Sequence, residues 1–425
     1  MQAAMLMGGF GAAQAMSFAR NALLAHWLSK GDFGIAAILM LSLQLLETLS
    51  DLGADRLIVQ ARDGHRPRIM ANAHAVLLLR GCITALLLFV TAGPLAQLFG
   101  VPEATWALQA CALIPLIKGF SHLDARRAQR RLDNRPFVLI ETLPQALALA
   151  ASLPLLMAQA SFAAVVWLAL AHALTAVAVS HLVSRRAYRV ALDRAPLLRL
   201  IAFGWPIWLS AFPLIAVYHA DRFIVAHVYG LEALAGFHVA FMVTMVPGLI
   251  AAKAGHALML PMFARALNNQ PCAPRSKDKR DASSAQDMRD TSRAQNMRDV
   301  MGLLTSVTVL AATGLVLAFV GLGDHVIQLC FGAAYAGLGP LVSVLALMWA
   351  LRMAQAVPGM ALMAAGETKP LLVAGLLRAT GLLPAYLIAL NAGPLWQVAC
   401  AGVAGEALSL AYVTARLRWL SRARE

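Results

Sequence analysis

Long apolar blocks alternate with short polar connections along the chain, and the length of these blocks predicts helices that cross a membrane. About 20 mostly apolar residues span the hydrocarbon region of a bilayer. Backbone amides in lipid must be bonded within their own segment, which favours helices. Twelve blocks meet these requirements, at about residues 3–28, 34–50, 70–95, 105–122, 138–158, 162–184, 200–228, 235–257, 300–321, 340–364, 371–390 and 394–415. We therefore predict an all-α integral membrane protein with about 12 transmembrane helices.

Basic residues are confined to alternate connections, and this pattern predicts the orientation. Of the 35 Lys and Arg residues, 27 lie in the connections 51–69, 122–137, 185–199, 258–299 and 365–370 and in the tail from 416, whereas the intervening connections carry only Lys30. Because cytoplasmic connections retain Lys and Arg, both termini are expected in the cytoplasm. The charged fraction of 13% is about half that of soluble proteins. The dispersal of the positive charge argues against nucleic acid as a partner.

The second half of the sequence loosely repeats the first. Residues 28–34 recur at 230–236, and residues 133–136 correspond to 367–370, so the offset grows from 202 to 234. A charged stretch at 268–299 accounts for the difference, and its composition favours a flexible cytoplasmic loop. We predict an N-terminal six-helix lobe at 1–184, a basic cytoplasmic linker at 185–199 and a C-terminal six-helix lobe at 200–425 that this loop interrupts. Parallel repeats of this kind are typical of transporters that bind substrate between their halves.

Several short motifs then follow one another in a recognisable order. They are RNALLAHWLSKGDFG at 20–34, LSDLG at 49–53, AQRR at 128–131 and FGAAY at 331–335. Together they resemble the polysaccharide transporter family, which comprises the oligosaccharide-lipid flippases of the multidrug/oligosaccharidyl-lipid/polysaccharide exporter superfamily. The 12 predicted spans, where many relatives have 14, and the insert at 268–299 depart from the family pattern.

The resemblance implies a flippase of the bacterial inner membrane. Its substrate would be an undecaprenyl-diphosphate-linked oligosaccharide, moved by alternating access from the cytoplasmic to the periplasmic leaflet for surface polysaccharide synthesis. Membrane lipid and other polysaccharide-assembly proteins are the further expected partners. The sequence carries no nucleophile elbow, P-loop or metal-binding motif, so neither an enzyme nor a metal or cofactor site is expected. The alternatives are a multidrug or cation antiporter of the same superfamily and a membrane polysaccharide polymerase or ligase.

Ionisable residues inside the predicted spans are the candidates for function. Seven cations and four carboxylates lie there, an excess of three positive charges. Each such group costs at least about 2.5 kcal/mol in a membrane, so it normally faces a partner or a water-filled cavity. A diphosphate supplies negative charge, and Arg binds it with a planar fork of donors. The expected substrate-binding cations of the cavity are Arg20, Arg80, Arg222 and Arg352, followed by Lys253 and Arg378.

Three carboxylates are the candidates for ion coupling or for neutralising these cations. Glu47 belongs to a polar stripe on the second span and is expected to face Arg20, while Asp221 is expected to neutralise Arg222. Glu406 is the third. Exchange driven by H⁺ or Na⁺ requires a carboxylate that titrates or binds the ion. The alternative for each charged residue is a structural ion pair or a side chain that extends to the interface.

Overall fold

The computed structural model describes residues 2–61, 63–131, 133–248, 279–364, 367 and 369–422, and the regular secondary structure within these ranges is helical. The chain divides into two compact units. The first comprises Met1–Val239 and Gln328–Tyr335, and the second comprises Ala240–Ile327 and Ala336–Glu425. The lobe boundaries expected from the internal repeat stay a prediction.

Eleven helices and part of a twelfth form the first unit. They are α1 (Gln2–Trp27), α2 (Lys30–Leu49), α3 (Ala54–Gln60), α4 (Pro67–Leu98), α5 (Thr105–Cys111), α6 (Leu113–Gly119), α7 (Asp124–Gln129), α8 (Arg135–Ala158), α9 (Phe162–Leu182), α10 (Arg194–Tyr218), α11 (Ala220–Tyr229) and α12 (Leu231–Gly248). The second unit contains the end of α12 and most of α13 (Lys279–Phe331), together with α14 (Gly339–Ala364), α15 (Lys369–Ala379), α16 (Leu382–Leu390) and α17 (Leu395–Arg422).

Within the described ranges, nine helical segments are long and apolar enough to cross a membrane. The multi-pass, all-helical character predicted from the sequence is therefore confirmed, while the count of 12 and the orientation of the termini stay predictions. Two predicted spans are interrupted. The span 105–122 is split into α5 and α6 at Ala112, and the span 200–228 is split into α10 and α11 at His219.

The charged insert also differs from its predicted form. We expected a flexible loop at about 268–299, but the backbone is helical from Lys279 onward and continues as α13 to Phe331. The sequence between these points contains many residues with high helix propensity, including Ala, Arg, Gln and Met. Residues 268–278 lie outside the described part of the chain.

The exposed surface of the long helices is apolar, as expected for helices that contact lipid. On α4, Leu86 and Val90 are 66% and 65% exposed, whereas Ala73 and Leu88 are buried. In water such a surface would mark an interaction site or an aggregation liability. The buried faces carry small residues that allow close helix packing, as is typical of membrane interfaces.

Two glycine contacts position the charged side chains described below. In the first unit, a Cβ on Gly81 of α4 would overlap the carbonyl oxygen of Pro115, so α4 and α6 approach closely enough to bring Lys118 near the end of α2. In the second unit, a Cβ on Gly405 of α17 would overlap the carbonyl oxygen of Arg378. The absence of a side chain at Gly405 therefore allows α15 and α17 to pack tightly beside Glu406.

Candidate functional site

A cavity of about 600 Å³ lies in the first unit, where the C-terminal end of α2 meets α4, α6 and α8. Four carboxylates and four cations line it, together with apolar and neutral polar groups. The charged residues are Glu47, Asp51, Asp55, Glu141, Arg56, Arg80, Lys118 and Arg126. This cavity is therefore formally neutral, and the positive excess counted over the predicted spans is not concentrated in it.

Lys118 and Glu47 form the central ion pair of the cavity. The Nζ atom of Lys118 lies 2.8 Å from Oε1 and 3.2 Å from Oε2 of Glu47. Both side chains remain partly exposed, at 40% and 26%. The predicted pairing of Glu47 with Arg20 is therefore wrong. The close packing of α4 against α6 places Lys118, instead of Arg20, beside this carboxylate.

Arg80 binds the C-terminal end of α2. Its guanidinium donates to the Ser50 hydroxyl at 3.0 Å, to the Glu47 carbonyl oxygen at 2.7 Å and to Asp51 Oδ1 at 3.4 Å. A cation at this position compensates the unsatisfied carbonyl groups and the negative end of the helix dipole. The longest of the three bonds is the one to the carboxylate.

Two further ion pairs complete the rim of the cavity. Arg56 lies 3.1 Å from Asp51, and Arg126 lies 3.0 Å from Asp55. Arg126 also stacks over Phe137, with its guanidinium carbon 4.5 Å from the ring centroid, an arrangement that favours a cation. These arginines belong to the connections predicted to face the cytoplasm.

Arg20 lies elsewhere in the first unit. Its Nη1 donates to Gln145 Oε1 of α8 at 3.2 Å. His172 of α9 interacts electrostatically with both Arg20 and Lys118. Arg20 does not line the cavity. It is linked to the cavity residue Lys118 only indirectly, through His172.

Arg222 and Asp221 lie at the start of α11. Arg222 is buried, and the carboxylate of Asp221 accepts the Arg222 backbone N–H at 2.8 Å. Arg222 also interacts electrostatically with His219 and His238, both in the same unit. The break between α10 and α11 at His219 places this arginine near a helix N-terminus rather than within one continuous helix over the predicted span 200–228.

The second unit contains a compact buried network around Glu406. Arg352 Nε lies 2.5 Å from Oε1 and Arg378 Nε lies 2.7 Å from Oε2 of this carboxylate, which is 1% exposed. Arg378 also donates to Gln355 Oε1 at 2.8 Å, and the Gln355 amide donates to Ser409 at 2.9 Å. Two predicted cations thus share one predicted carboxylate. The carboxylate of Glu406 is therefore shared between two arginines.

Five of the predicted site residues therefore form two groups. Arg80 and Glu47 meet in the cavity of the first unit, and Arg352, Arg378 and Glu406 meet in the second. Lys253 lies outside the described residues. The cation-rich cavity expected between the lobes stays a prediction, as do the substrate-binding and coupling roles of these residues. Within the described ranges, no cluster of three or more His, Cys, Asp and Glu side chains is arranged to hold a metal ion.

Sequence reasoning missed most of the charged residues that line the cavity. Lys118 was not among the expected substrate-binding cations, and Asp51 and Arg126 were assigned to connections. One signal was available for Asp51, which lies only four residues after Glu47 and just beyond the end of α2. No comparable signal identifies Lys118, because its contact with Glu47 joins residues 71 positions apart.

A buried ion pair lies beside the cavity in α7. Asp124 accepts two hydrogen bonds from Arg127, at 2.5 and 2.9 Å, and one from the backbone N–H of Arg185 at 3.0 Å. Burial acts to raise the pKa of Asp124, but the hydrogen bonds from Arg127 and Arg185 outweigh it and hold the pKa below its ordinary value. This pair stabilises the connection that carries Arg126.

The helical arrangement is shared with solved transporters. The inward closed conformation of the lipid II flippase MurJ aligns with a TM-score of 0.74 at 11% identity, covering 97% of this chain and 87% of that chain. An inward-facing MATE family multidrug resistance transporter of the MOP superfamily aligns with a TM-score of 0.71 at 15% identity, covering 96% of each chain. A MOP superfamily transporter from Pyrococcus furiosus aligns with a TM-score of 0.61 at 14% identity, covering 99% of this chain and 96% of that chain. The molecule is a multi-pass membrane protein that shares the fold of these transporters.

Sequence comparison then identifies the family. The family model described as polysaccharide biosynthesis protein matches residues 23–278. The succinoglycan biosynthesis transport protein ExoT of Rhizobium meliloti (strain 1021) is 26% identical over 267 residues, which cover 60% of this chain and 51% of the relative. The chain thus spans about half the length of this curated relative. The chain belongs to the polysaccharide biosynthesis protein family, which confirms the resemblance inferred from the motifs.

Proposed function

We propose that this protein is a flippase that moves an undecaprenyl-diphosphate-linked oligosaccharide from the cytoplasmic to the periplasmic leaflet of a bacterial inner membrane. The observation that carries the proposal is a charged cavity among apolar helices in a chain of the polysaccharide biosynthesis protein family. The curated relative named for succinoglycan transport and the fold shared with a lipid II flippase support it. The transport itself makes and breaks no covalent bond.

A diphosphate can enter the cavity by replacing the carboxylates that are paired with two of its cations. Arg80 and Lys118 are already held in place by Asp51 and Glu47, and neither cation is fully buried. An incoming diphosphate replaces these carboxylates as the partner of the cations, and the site is neutral before the substrate binds. Charge-assisted hydrogen bonds to phosphate are strong enough to compete with such pairs.

The substrate follows a route that keeps its lipid tail in the bilayer while the headgroup crosses between helices. Arg20, Arg222, Arg352, Lys253 and Arg378 are the further cations that we propose to contact the headgroup. Release on the periplasmic side returns Arg80 and Lys118 to their carboxylates. Glu47 is the proposed coupling group, because protonation or Na⁺ binding there weakens its bond to Lys118 and so favours exchange with the diphosphate.

One observation supports a second candidate, a multidrug or cation antiporter. The cavity carries as many carboxylates as cations, and carboxylates attract cationic drugs. We favour the flippase because the family model and the curated relative both concern polysaccharide biosynthesis. Drug sensitivity of a deletion strain separates the two candidates, since only an antiporter would change resistance without changing surface polysaccharide.

The test is export of surface polysaccharide in a deletion strain that carries variants of the gene. Arg80→Ala and Lys118→Met should each reduce export at least tenfold and cause lipid-linked oligosaccharide to accumulate, with protein levels verified by immunoblot. Arg131→Ala is the matched control, because Arg131 is an exposed arginine that does not line the cavity. Normal export with both cavity cations removed and the protein present in the membrane would refute the site.

A further inference from the structure

The connection between α9 and α10 is held against α4 in an extended form. Residues 184–193, which we call the arginine strap, contain no helix. The backbone N–H of Ala191 donates to the Ala71 carbonyl oxygen at 3.2 Å, and the N–H of Asp193 donates to Asn72 Oδ1 at 2.7 Å. The Asp193 carboxylate accepts from Arg68 at 2.8 Å. The strap is therefore an ordered surface rather than a loose linker.

Two histidines fix the centre of the strap. His74 Nε2 accepts the Leu123 backbone N–H at 3.1 Å, so its Nδ1 carries the proton and donates to the Arg189 carbonyl oxygen at 2.9 Å. His122 Nδ1 accepts the Asp124 N–H at 3.1 Å, so its Nε2 donates to the Arg186 carbonyl oxygen at 2.9 Å. Both bonds hold the backbone of an arginine, which leaves the two guanidinium groups at the surface.

A cleft of about 300 Å³ lies between the strap and the first turns of α4. Its floor is apolar and is formed by Pro67, Met70, Ala71 and Ala187, while the two arginines and His74 complete the lining. The guanidinium of Arg186 donates to the His65 carbonyl oxygen at 2.6 Å. Arg189 is exposed. Two cations over an apolar floor suit an amphipathic anion.

The surroundings of the cleft place it at the level of lipid headgroups. The cleft lies where α4 begins and α9 ends, and both helices are long and apolar enough to cross a membrane. Leu182 at the end of α9 and Leu192 in the strap are 82% and 71% exposed, and Val190 is 47% exposed. Large apolar side chains beside arginines are typical of the membrane interface, where the former enter the acyl region and the latter contact phosphate.

We propose that the cleft binds the phosphate headgroup of an anionic phospholipid. Arg186 and Arg189 contact the phosphate, while Pro67 and Met70 contact the glycerol and the first methylene groups of the acyl chains. A free phosphate ion would use the arginines but not the apolar floor, so the lining favours a lipid. Bound lipid would hold the strap, and with it the start of α10, at the surface of the bilayer.

Native mass spectrometry of the full-length protein tests this binding, with phosphatidylglycerol, phosphatidylcholine and inorganic phosphate added separately. Each basic residue near an anionic surface contributes about 1 kcal/mol, so Arg186→Ala with Arg189→Ala should weaken phosphatidylglycerol binding about thirtyfold. Arg131→Ala with Arg135→Ala removes the same charge from two exposed arginines of another predicted cytoplasmic connection and should change binding less than threefold. The single variant Arg189→Ala provides a second measurement should the double variant fail to fold.

Three results would overturn the proposal. Equal retention of phosphatidylglycerol by the wild type and by the strap variants would show that the arginines do not bind it. Equal weakening by the control pair would show a non-specific effect of net charge. Retention of phosphatidylcholine as strong as that of phosphatidylglycerol, or phosphate binding as tight as that of the lipid, would show that the ligand is not an anionic lipid. Because binding is measured without transport, the outcome is independent of the proposed flippase activity.

Discussion

Removal of the Glu406 carboxylate is expected to be among the most destabilising single changes in the second unit. The side chain is 1% exposed and forms ion pairs of 2.5 and 2.7 Å with Arg352 and Arg378, which are themselves only 9% and 18% exposed. Glu406→Ala leaves two largely buried cations without their shared partner. Breaking a buried pair in this way costs about 3–5 kcal/mol.

The size of the effect depends on charge rather than on packing, and a second variant separates the two. Arg352→Met, Arg378→Met and Glu406→Leu in combination remove every charge of the network while conserving most of its volume. Replacement of buried ion pairs by apolar residues is often neutral or stabilising. The triple variant should therefore recover most of the stability that Glu406→Ala alone loses.

Reversible unfolding by denaturant in detergent micelles, followed by tryptophan fluorescence, measures these differences. Glu232→Ala is the matched control, because Glu232 is an exposed glutamate on a helix, and exposed substitutions of this kind change the free energy of unfolding by about 0.5 kcal/mol or less. The reasoning fails if Glu406→Ala costs no more than Glu232→Ala, or if the triple variant costs as much as the sum of its single changes.

Three further predictions concern the first unit. The pKa of Asp124 is lowered on folding, so its carboxylate stabilises the protein above the unfolded pKa of about 3.9, and this stabilisation is lost as the pH falls through the lower pKa of the folded state. Asp124→Asn should remove this acid dependence from thermal unfolding curves. An unchanged pH dependence in the variant would contradict the prediction. Gly81→Ala should destabilise the protein because its Cβ meets the Pro115 carbonyl oxygen, whereas Gly93→Ala, which meets nothing within 4 Å, should be neutral or stabilise by up to about 1 kcal/mol; equal effects on unfolding would be inconsistent with close packing of α4 on α6. Arg130→Ala should lower the free energy of unfolding by about 1.5–3 kcal/mol, because the guanidinium binds the carbonyl oxygens of Ile58, Val59 and Ala61 at the end of α3. Replacement of the exposed Arg131 by Ala should change the free energy of unfolding little in the same assay.

The long apolar blocks made the helical, multi-pass fold predictable, because hydrophobicity over some 20 residues is a local property of the sequence. The breaks inside two spans were not predictable in the same way. Ala112 and His219 end helices within apolar runs that carry no Gly or Pro at those positions. Tertiary packing decides such breaks, and hydropathy does not register them. The helix that begins at Lys279 was not predicted, because the polar composition of 268–299 favoured a flexible loop.

The candidate site was predictable as a set of charged residues but not as a set of pairs. Counting ionisable groups in the spans identified Arg80, Glu47 and Glu406. The partners depend on which helices are neighbours: Lys118 reaches Glu47 across 71 positions, and Arg352 reaches Glu406 across 54. Single-sequence periodicity contains no information on such contacts. The cavity is neutral because two carboxylates and two cations from the spans balance there, as do two carboxylates and two cations from the adjoining connections.

Reconstituted flipping measures the central claim most directly. Purified protein is incorporated into proteoliposomes containing a fluorescent polyprenyl-diphosphate oligosaccharide, and the fraction of the glycan accessible to an external glycosidase is followed over time. The account predicts that the protected half of the substrate becomes accessible with wild-type protein and with Arg131→Ala, and at least tenfold more slowly with Arg80→Ala and Lys118→Met. Protection that persists with wild-type protein, or flipping at the wild-type rate when both cavity cations are removed, would contradict it.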